Sequence, residues 1–285
     1  MLKSALMYLV PCGLALVLAV AIRLLGGPER GTRAAGIAVI IGFLAAWGYF
    51  LRPGWIPTDD FSRIGHIAFG AGLMGLALDY LAGRRLWAVA SIALVVAVST
   101  WLSINGMLRP AEPVTLSLGV VVLALVVLGT LAILRLEAIS RQEEAGGLTA
   151  GLLLMIAVGA LAFVARIGGE GRLFTSGLIL VAALAPYVLL QRLLRVAVGE
   201  SIILGASAIA LALAWAVFQA LPHLRPALLL VPLILFADGT AKRVPLPAAR
   251  ISTILYPFLL AGIAALPAVL AVLAAYVLAP GVASP

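Results

Sequence analysis

Long apolar runs alternate with short, charge-bearing connections along this chain, and the pattern repeats ten times. The runs occupy residues 5–25, 34–51, 64–81, 86–104, 114–134, 148–165, 173–190, 202–221, 226–237 and 251–279. A helix rising about 1.5 Å per residue needs about 20 apolar residues to cross a hydrocarbon core about 30 Å thick. Backbone amides in lipid must be satisfied within their own segment, so the runs predict helices rather than strands. The ninth run is short. Only 12 residues separate Arg225 from Asp238, and Pro232 interrupts them. A straight helix there covers about 18 Å, which predicts either a re-entrant segment or a crossing that recruits part of 221–225. The tenth run holds 29 residues, with Pro257 and Pro267 permitting kinks. The expected fold is all-α: a polytopic transmembrane helical bundle of about ten spans, or nine if the short run fails to cross. Residues 1–285 then form a single integral membrane domain with no soluble domain.

Composition strengthens this reading. Hydrophobic residues make up 64% of the chain and charged residues 11%, against about 45–50% and about 25% in soluble domains. A net charge of +8 ordinarily raises nucleic acid as a partner. Here the 19 cations are dispersed in ones and twos between apolar runs, a placement that serves membrane insertion, so the expected partner is the lipid bilayer and not nucleic acid. Arg outnumbers Lys, which occurs only at Lys3 and Lys242. With abundant Ala, Gly and Pro, that usage points to a bacterial cytoplasmic (inner) membrane. The single cysteine, Cys12, excludes an intramolecular disulfide and any Cys-cluster metal site. Lys3, the first apolar stretch and Ala19-Val20-Ala21 loosely imitate a signal peptide, but the stretch continues through Leu25. A retained first span is expected.

The connections after odd-numbered spans carry twelve cations, against seven for the N-terminus and the remaining connections together. The odd connections are therefore expected in the cytoplasm and both termini outside. Trp47, Tyr49, Phe50 and Trp55 then form an aromatic cluster at the outer interface. Glu137 and Arg141 stand four apart, which predicts that the fifth span continues as a short solvated helix.

Two repeats stand out. Leu-Arg-Pro recurs at 51–53, 108–110 and 224–226; a snorkelling Arg followed by a helix-ending Pro accounts for it, and an ancestral two-helix unit is the alternative. Gly65, Ala68, Gly72, Gly75 and Asp79 share one face of the third span. Ser201, Gly205, Ala208, Ala212, Trp215 and Gln219 share one face of the eighth. Such Gly/Ala stripes let helix backbones approach closely, within the bundle, against a membrane-protein partner or in a homo-oligomer. They also occupy equivalent places in a 5+5 inverted repeat of the kind found in secondary transporters.

Candidate chemistry is sparse. Asp79 is the main intramembrane charge, near the end of its span and within reach of Arg84 or Arg85, so a paired interfacial carboxylate is expected ahead of a proton site. Ser99, Thr100, Ser103 and Asn105 form the densest polar patch within a span, with Gln219 isolated in the eighth. His66, His223, Asp59, Asp60, Glu112 and Glu170 fall at the expected outer face without metal-ligand spacing. No nucleotide-binding, metalloprotease or serine-hydrolase motif is present. No cofactor, metal or catalytic residue is expected.

Three functions follow. The first is a small-solute carrier or exporter for a neutral or amphipathic substrate. The second is a structural or accessory subunit of a larger membrane complex. The third is an outer-face enzyme acting on a lipid-linked substrate. For the carrier, a mid-bilayer cavity lined by Asp79, Ser99, Ser103 and Gln219 is expected.

Overall fold

The computed structural model describes residues 2–54, 56, 59–80, 85–107, 116–142, 148–194, 196–245 and 249–279. All described elements are helical: α1 (Leu2–Gly26), α2 (Ile37–Leu51), α3 (Asp60–Tyr80), α4 (Arg85–Met107), α5 (Leu116–Gln142), α6 (Thr149–Ile167), α7 (Gly171–Leu194), α8 (Glu200–Ala220), α9 (the interrupted stretch Pro222–Ala241) and α10 (Ala249–Leu278). A π-helical turn, Gly27–Gly31, and the short piece Thr32–Ala34 lead from α1 into α2. Eight of the helical segments are long and apolar enough to cross a membrane; α4 and α5 are helices of 23 and 27 residues at the positions of the fourth and fifth apolar runs.

At the ninth run the helical segment is longer than the apolar run itself. The segment begins at Pro222, before the apolar run, and continues through Ala241. Pro222–Leu224 and Val231–Phe236 adopt 3-10 geometry, which rises about 2.0 Å per residue instead of about 1.5. The 20 residues thereby reach on the order of 33 Å, enough to span.

Helix α8 is the hub, with 89% of its span window buried, against 17% for α1 and 22% for α10 at the periphery. Its most extensive partner is α3, and Gly72 and Gly75 of one stripe meet Gly205 and Ser201 of the other. A Cβ on Gly75 would sit 2.5 Å from the Ser201 Cα, and one on Gly205 would sit 3.4 Å from the Gly72 Cα and 2.7 Å from Ile40 Cδ1. Those four positions are therefore occupied by packing within the molecule.

Contacts at the helix ends sort the connections into two sets. Asp79, Arg33, Glu200, Glu137, Arg141, Arg135, Asp238 and Tyr256 meet at the end holding the odd-numbered connections. Trp47, Phe61 and Arg172 meet at the other, and Gly168 abuts Leu221 there. These are the odd-loop and even-loop ends. Pairing of α1 with α2 mirrors α6 with α7, and α2–α7 and α3–α8 are self-consistent, as an inverted repeat requires. However, α1 also packs on α7, and α6 on α10, without counterparts of comparable extent. Any repeat is thus incomplete.

Candidate functional site

Asp79 serves the backbone of another helix. Its carboxylate accepts the Glu200 amide at 2.6 Å and the Ser201 amide at 3.0 Å. Those are orphan donors at the start of α8, and Gly199, which precedes them, is packed so tightly against the Arg33 carbonyl and Asp79 Oδ1 that no Cβ fits. The expected partnership with Arg84 or Arg85 falls outside the described residues, which omit Arg84 and the Arg85 side chain.

Asp79 and Gln219, two of the four residues expected to share a cavity, stand toward opposite ends of α8. Gln219 stands 19 positions along α8 from Glu200, about 28 Å from the end that Asp79 caps. Ser99 is buried in α4 with its hydroxyl unpartnered. Ser103 lies on the same helix, its side chain outside the described residues. Neither of the two cavities described next is lined by Asp79, Ser99 or Gln219.

The first cavity lies midway along the bundle, between α5, α6, α8 and α9. It holds about 80 Å³, several times the roughly 10–15 Å³ that one water requires. Aliphatic groups such as Gly129, Ala157, Leu161 and Leu235 make up most of its wall. Pro232, in the 3-10 stretch of α9, completes one side. The polar exceptions are Ser207 and Trp215, both on α8, both buried, and both with a hydrogen-bonding group left unpartnered: Ser207 Oγ and Trp215 Nε1. Trp215 is held edge-on to Phe218 with ring centroids 5.4 Å apart. Ser207, Ala210, Leu211, Ala214 and Trp215 are spaced 3, 1, 3 and 1 apart, so one face of α8 lines the cavity while Gly205 and Ala208 mark the face toward α3. Ala210, Leu211 and Ala214 are partly exposed, on a helix whose residues 201–209 are all buried, so this crevice is open at its side.

An ionic cluster closes the odd-loop end, immediately beyond the crevice residues Leu136 and Leu235. Asp238, fully buried, accepts from Arg135 Nη2 at 2.9 Å and from the Tyr256 hydroxyl at 3.0 Å, with Lys242 Nζ at 3.2 Å. Arg141 pairs with Glu137 and reaches Glu200 at 3.6 Å. The extension of α5 is helical as the spacing predicts, but Glu137 is buried, so the extension docks on α8 instead of lying in solvent.

The second cavity, about 750 Å³, is a groove between α2 and α3 at the even-loop end. Trp47 forms part of its wall, stacked on Phe43 and tilted against Phe61. Trp47 is thus an internal residue, whereas Tyr49 is exposed; Trp55 lies outside the described residues. At the mouth, Asp59 Oδ1 accepts the Ser62 amide at 3.0 Å and caps α3; this hydrogen bonding holds the Asp59 carboxyl below its ordinary range. Among the described residues, His66 is the only titratable group lining the groove. His223 sits in the Pro222–Leu224 turn, Glu112 lies outside the described residues and so does the Asp60 side chain. The acids and histidines expected at this face therefore do not assemble one catalytic cleft among the described residues. Among those residues, no group of three or more His, Cys, Asp or Glu could hold a metal ion.

The Leu-Arg-Pro repeats also differ from one another. Arg52 ends α2 in the left-handed region at φ 45°, while Arg225 donates to the Phe218 carbonyl at 3.2 Å and lies 4.5 Å over that ring. The 108–110 copy lies outside the described residues. What the geometry supplies is a mid-bundle apolar crevice with two unspent hydrogen-bonding groups, beside an interrupted helix. Neither a protein-family model nor any curated protein matches this chain.

Proposed function

We propose that this protein is a carrier for a small neutral or amphipathic solute, with its binding site in the α5–α6–α8–α9 crevice. One observation carries the reading: Ser207 and Trp215, whose Oγ and Nε1 are buried and unpartnered, both line an apolar cavity bordered by the proline-interrupted α9. Leaving such groups unpaired costs about 1–3 kcal/mol each, and a ligand supplying partners recovers that cost. Among the described residues no charged side chain lines the crevice, which favours an uncharged solute with an apolar body and a hydrogen-bond acceptor for the indole N–H. Interrupted helices beside a mid-membrane cavity are where transporters place their sites. In this reading the protein sits in a bacterial cytoplasmic membrane, with the odd-loop end inside. Proteoliposomes loaded against a panel of neutral amphipathic solutes test it: uptake is expected for at least one, reduced about tenfold or more in Ser207→Ala/Trp215→Phe. Uptake of none, or uptake indifferent to both substitutions, contradicts it.

A second reading, an accessory subunit of a larger complex, is favoured by the sparsely buried faces of α1 and α10. Exposed Leu9, Val17, Leu24, Phe258, Leu266 and Val277 there suit a membrane-protein partner, a second copy or lipid equally well. Its test is the state of the protein after mild detergent extraction, where co-purification of a stoichiometric partner supports it.

A further inference from the structure

We propose that the groove between α2 and α3 is a second binding site, which holds one hydrocarbon chain of a membrane lipid and its head-group hydroxyl. The proposal does not depend on the carrier reading, because the groove and the crevice share no lining residue.

The groove is graded along its length. Ser62 and His66 stand toward the even-loop end, with Pro53 and Gly54 beside them. Leu44 and the exposed Phe69 line it further from that end, along α2 and α3. His66 lies about 9 Å inside the start of α3, and Phe69 and Gly70 about 14–15 Å, so the polar mouth and apolar floor follow the order of a lipid's head and chain. A volume of about 750 Å³ falls within the roughly 300–1,000 Å³ of ordinary ligand sites. Glycines create that space. A Cβ on Gly48 or on Gly70 would meet nothing within 4 Å, although both positions border the groove.

The polar groups define the head. His66 Nδ1 lies 3.1 Å from the Ser62 carbonyl. A carbonyl only accepts, so Nδ1 is the donor, and in the Nδ1–H tautomer Nε2 is left as an acceptor. The buried Trp47 Nε1 has no acceptor. A hydroxyl can donate to the imidazole where a phosphocholine head cannot. The ligand class is therefore a lipid alcohol, whether a glyceride or a long-chain polyprenol.

Native mass spectrometry of the full chain in detergent, with dioleoylglycerol, a long-chain polyprenol or dioleoylphosphatidylcholine added, tests this. One bound alcohol per chain is expected, and the better-retained of the two alcohols identifies the source. Gly48→Leu and Gly70→Leu fill open space and favour helix, so both should fold with unchanged thermal midpoints yet lose the adduct about tenfold or more. His66→Leu should reduce alcohol binding to the level of phosphatidylcholine. Absence of a retained alcohol, equal retention of phosphatidylcholine, or retention undiminished in the folded Gly70→Leu variant overturns the proposal.

Discussion

Asp79 caps a helix that begins 121 residues later: its carboxylate accepts the Glu200 amide at 2.6 Å, and the next amide, of Ser201, at 3.0 Å. The most conspicuous intramembrane acid is thereby committed to holding α3 and α8 in register.

Replacing it should behave as loss of a cap and not as loss of a proton carrier. Asp79→Ala is expected to cost about 2 kcal/mol, since two amides lose their acceptor. Asp79→Asn keeps one carbonyl oxygen and should cost about half as much. Thermal unfolding in detergent measures both. If Asp79→Asn keeps full stability but abolishes proton-dependent uptake, the capping assignment is wrong.

The α3–α8 contact leaves no room for a side chain. A Cβ on Gly75 would lie 2.6 Å from the Glu200 carbonyl oxygen, whereas one on Gly13 meets nothing within 4 Å. Gly75→Ala should destabilise by about 1–3 kcal/mol through overpacking. Gly13→Ala should be neutral or stabilising by up to about 1 kcal/mol. Equal midpoints for the two variants would show that α3 and α8 do not approach this closely.

Much of this architecture is legible in the chain, and the limits have physical causes. Apolar runs and prolines report local backbone behaviour, so the helices and the break at Pro232 can be read directly. The stripes on α3 and α8 identify close-packing faces, although only coordinates show that they pack on each other. Partners such as Asp79 with Glu200, or Arg135 with Asp238, are more than a hundred residues apart, a separation that local spacing does not report. Ser207 is one hydroxyl in an Ala-rich stretch; its interest arises only when four helices leave a void beside it. Ser99 and Ser103 attract attention by polar density, a property that marks helix packing as readily as a site.

The Arg135–Asp238–Lys242 cluster ties α9 to α5 beyond the crevice. Asp238→Ala should cost up to about 3 kcal/mol, less than a fully enclosed ion pair, because the Arg135 and Lys242 side chains retain 31% and 51% exposure. Tyr256→Phe removes one hydrogen bond and should cost about 0.5–1.5 kcal/mol. Chemical denaturation of the purified protein distinguishes these magnitudes, and equal midpoints for both variants would contradict the assignment.

At the even-loop end, hydrogen bonds from Ser62 depress the Asp59 carboxyl below 3.8. A depressed carboxylate contributes stability above its unfolded pKa and loses it as pH falls through the folded value. The wild type should therefore exceed Asp59→Asn in thermal midpoint near neutrality, by a small margin because the group is largely exposed. The difference should shrink below pH 3.8. A gap that widens on acidification reverses the sign and rejects the cap.

The carrier reading requires water to reach the crevice during some part of a cycle, whereas a solid accessory bundle keeps it dry. With Cys12 replaced by Ser, the modification rate of Ser207→Cys by a water-soluble methanethiosulfonate reagent measures this directly, compared with Ala206→Cys, which is fully enclosed. The account predicts modification of Ser207→Cys at least about tenfold faster than Ala206→Cys, accelerated further when Asp238→Ala loosens the odd-loop end. Equal inertness at both positions, with and without Asp238, would contradict it.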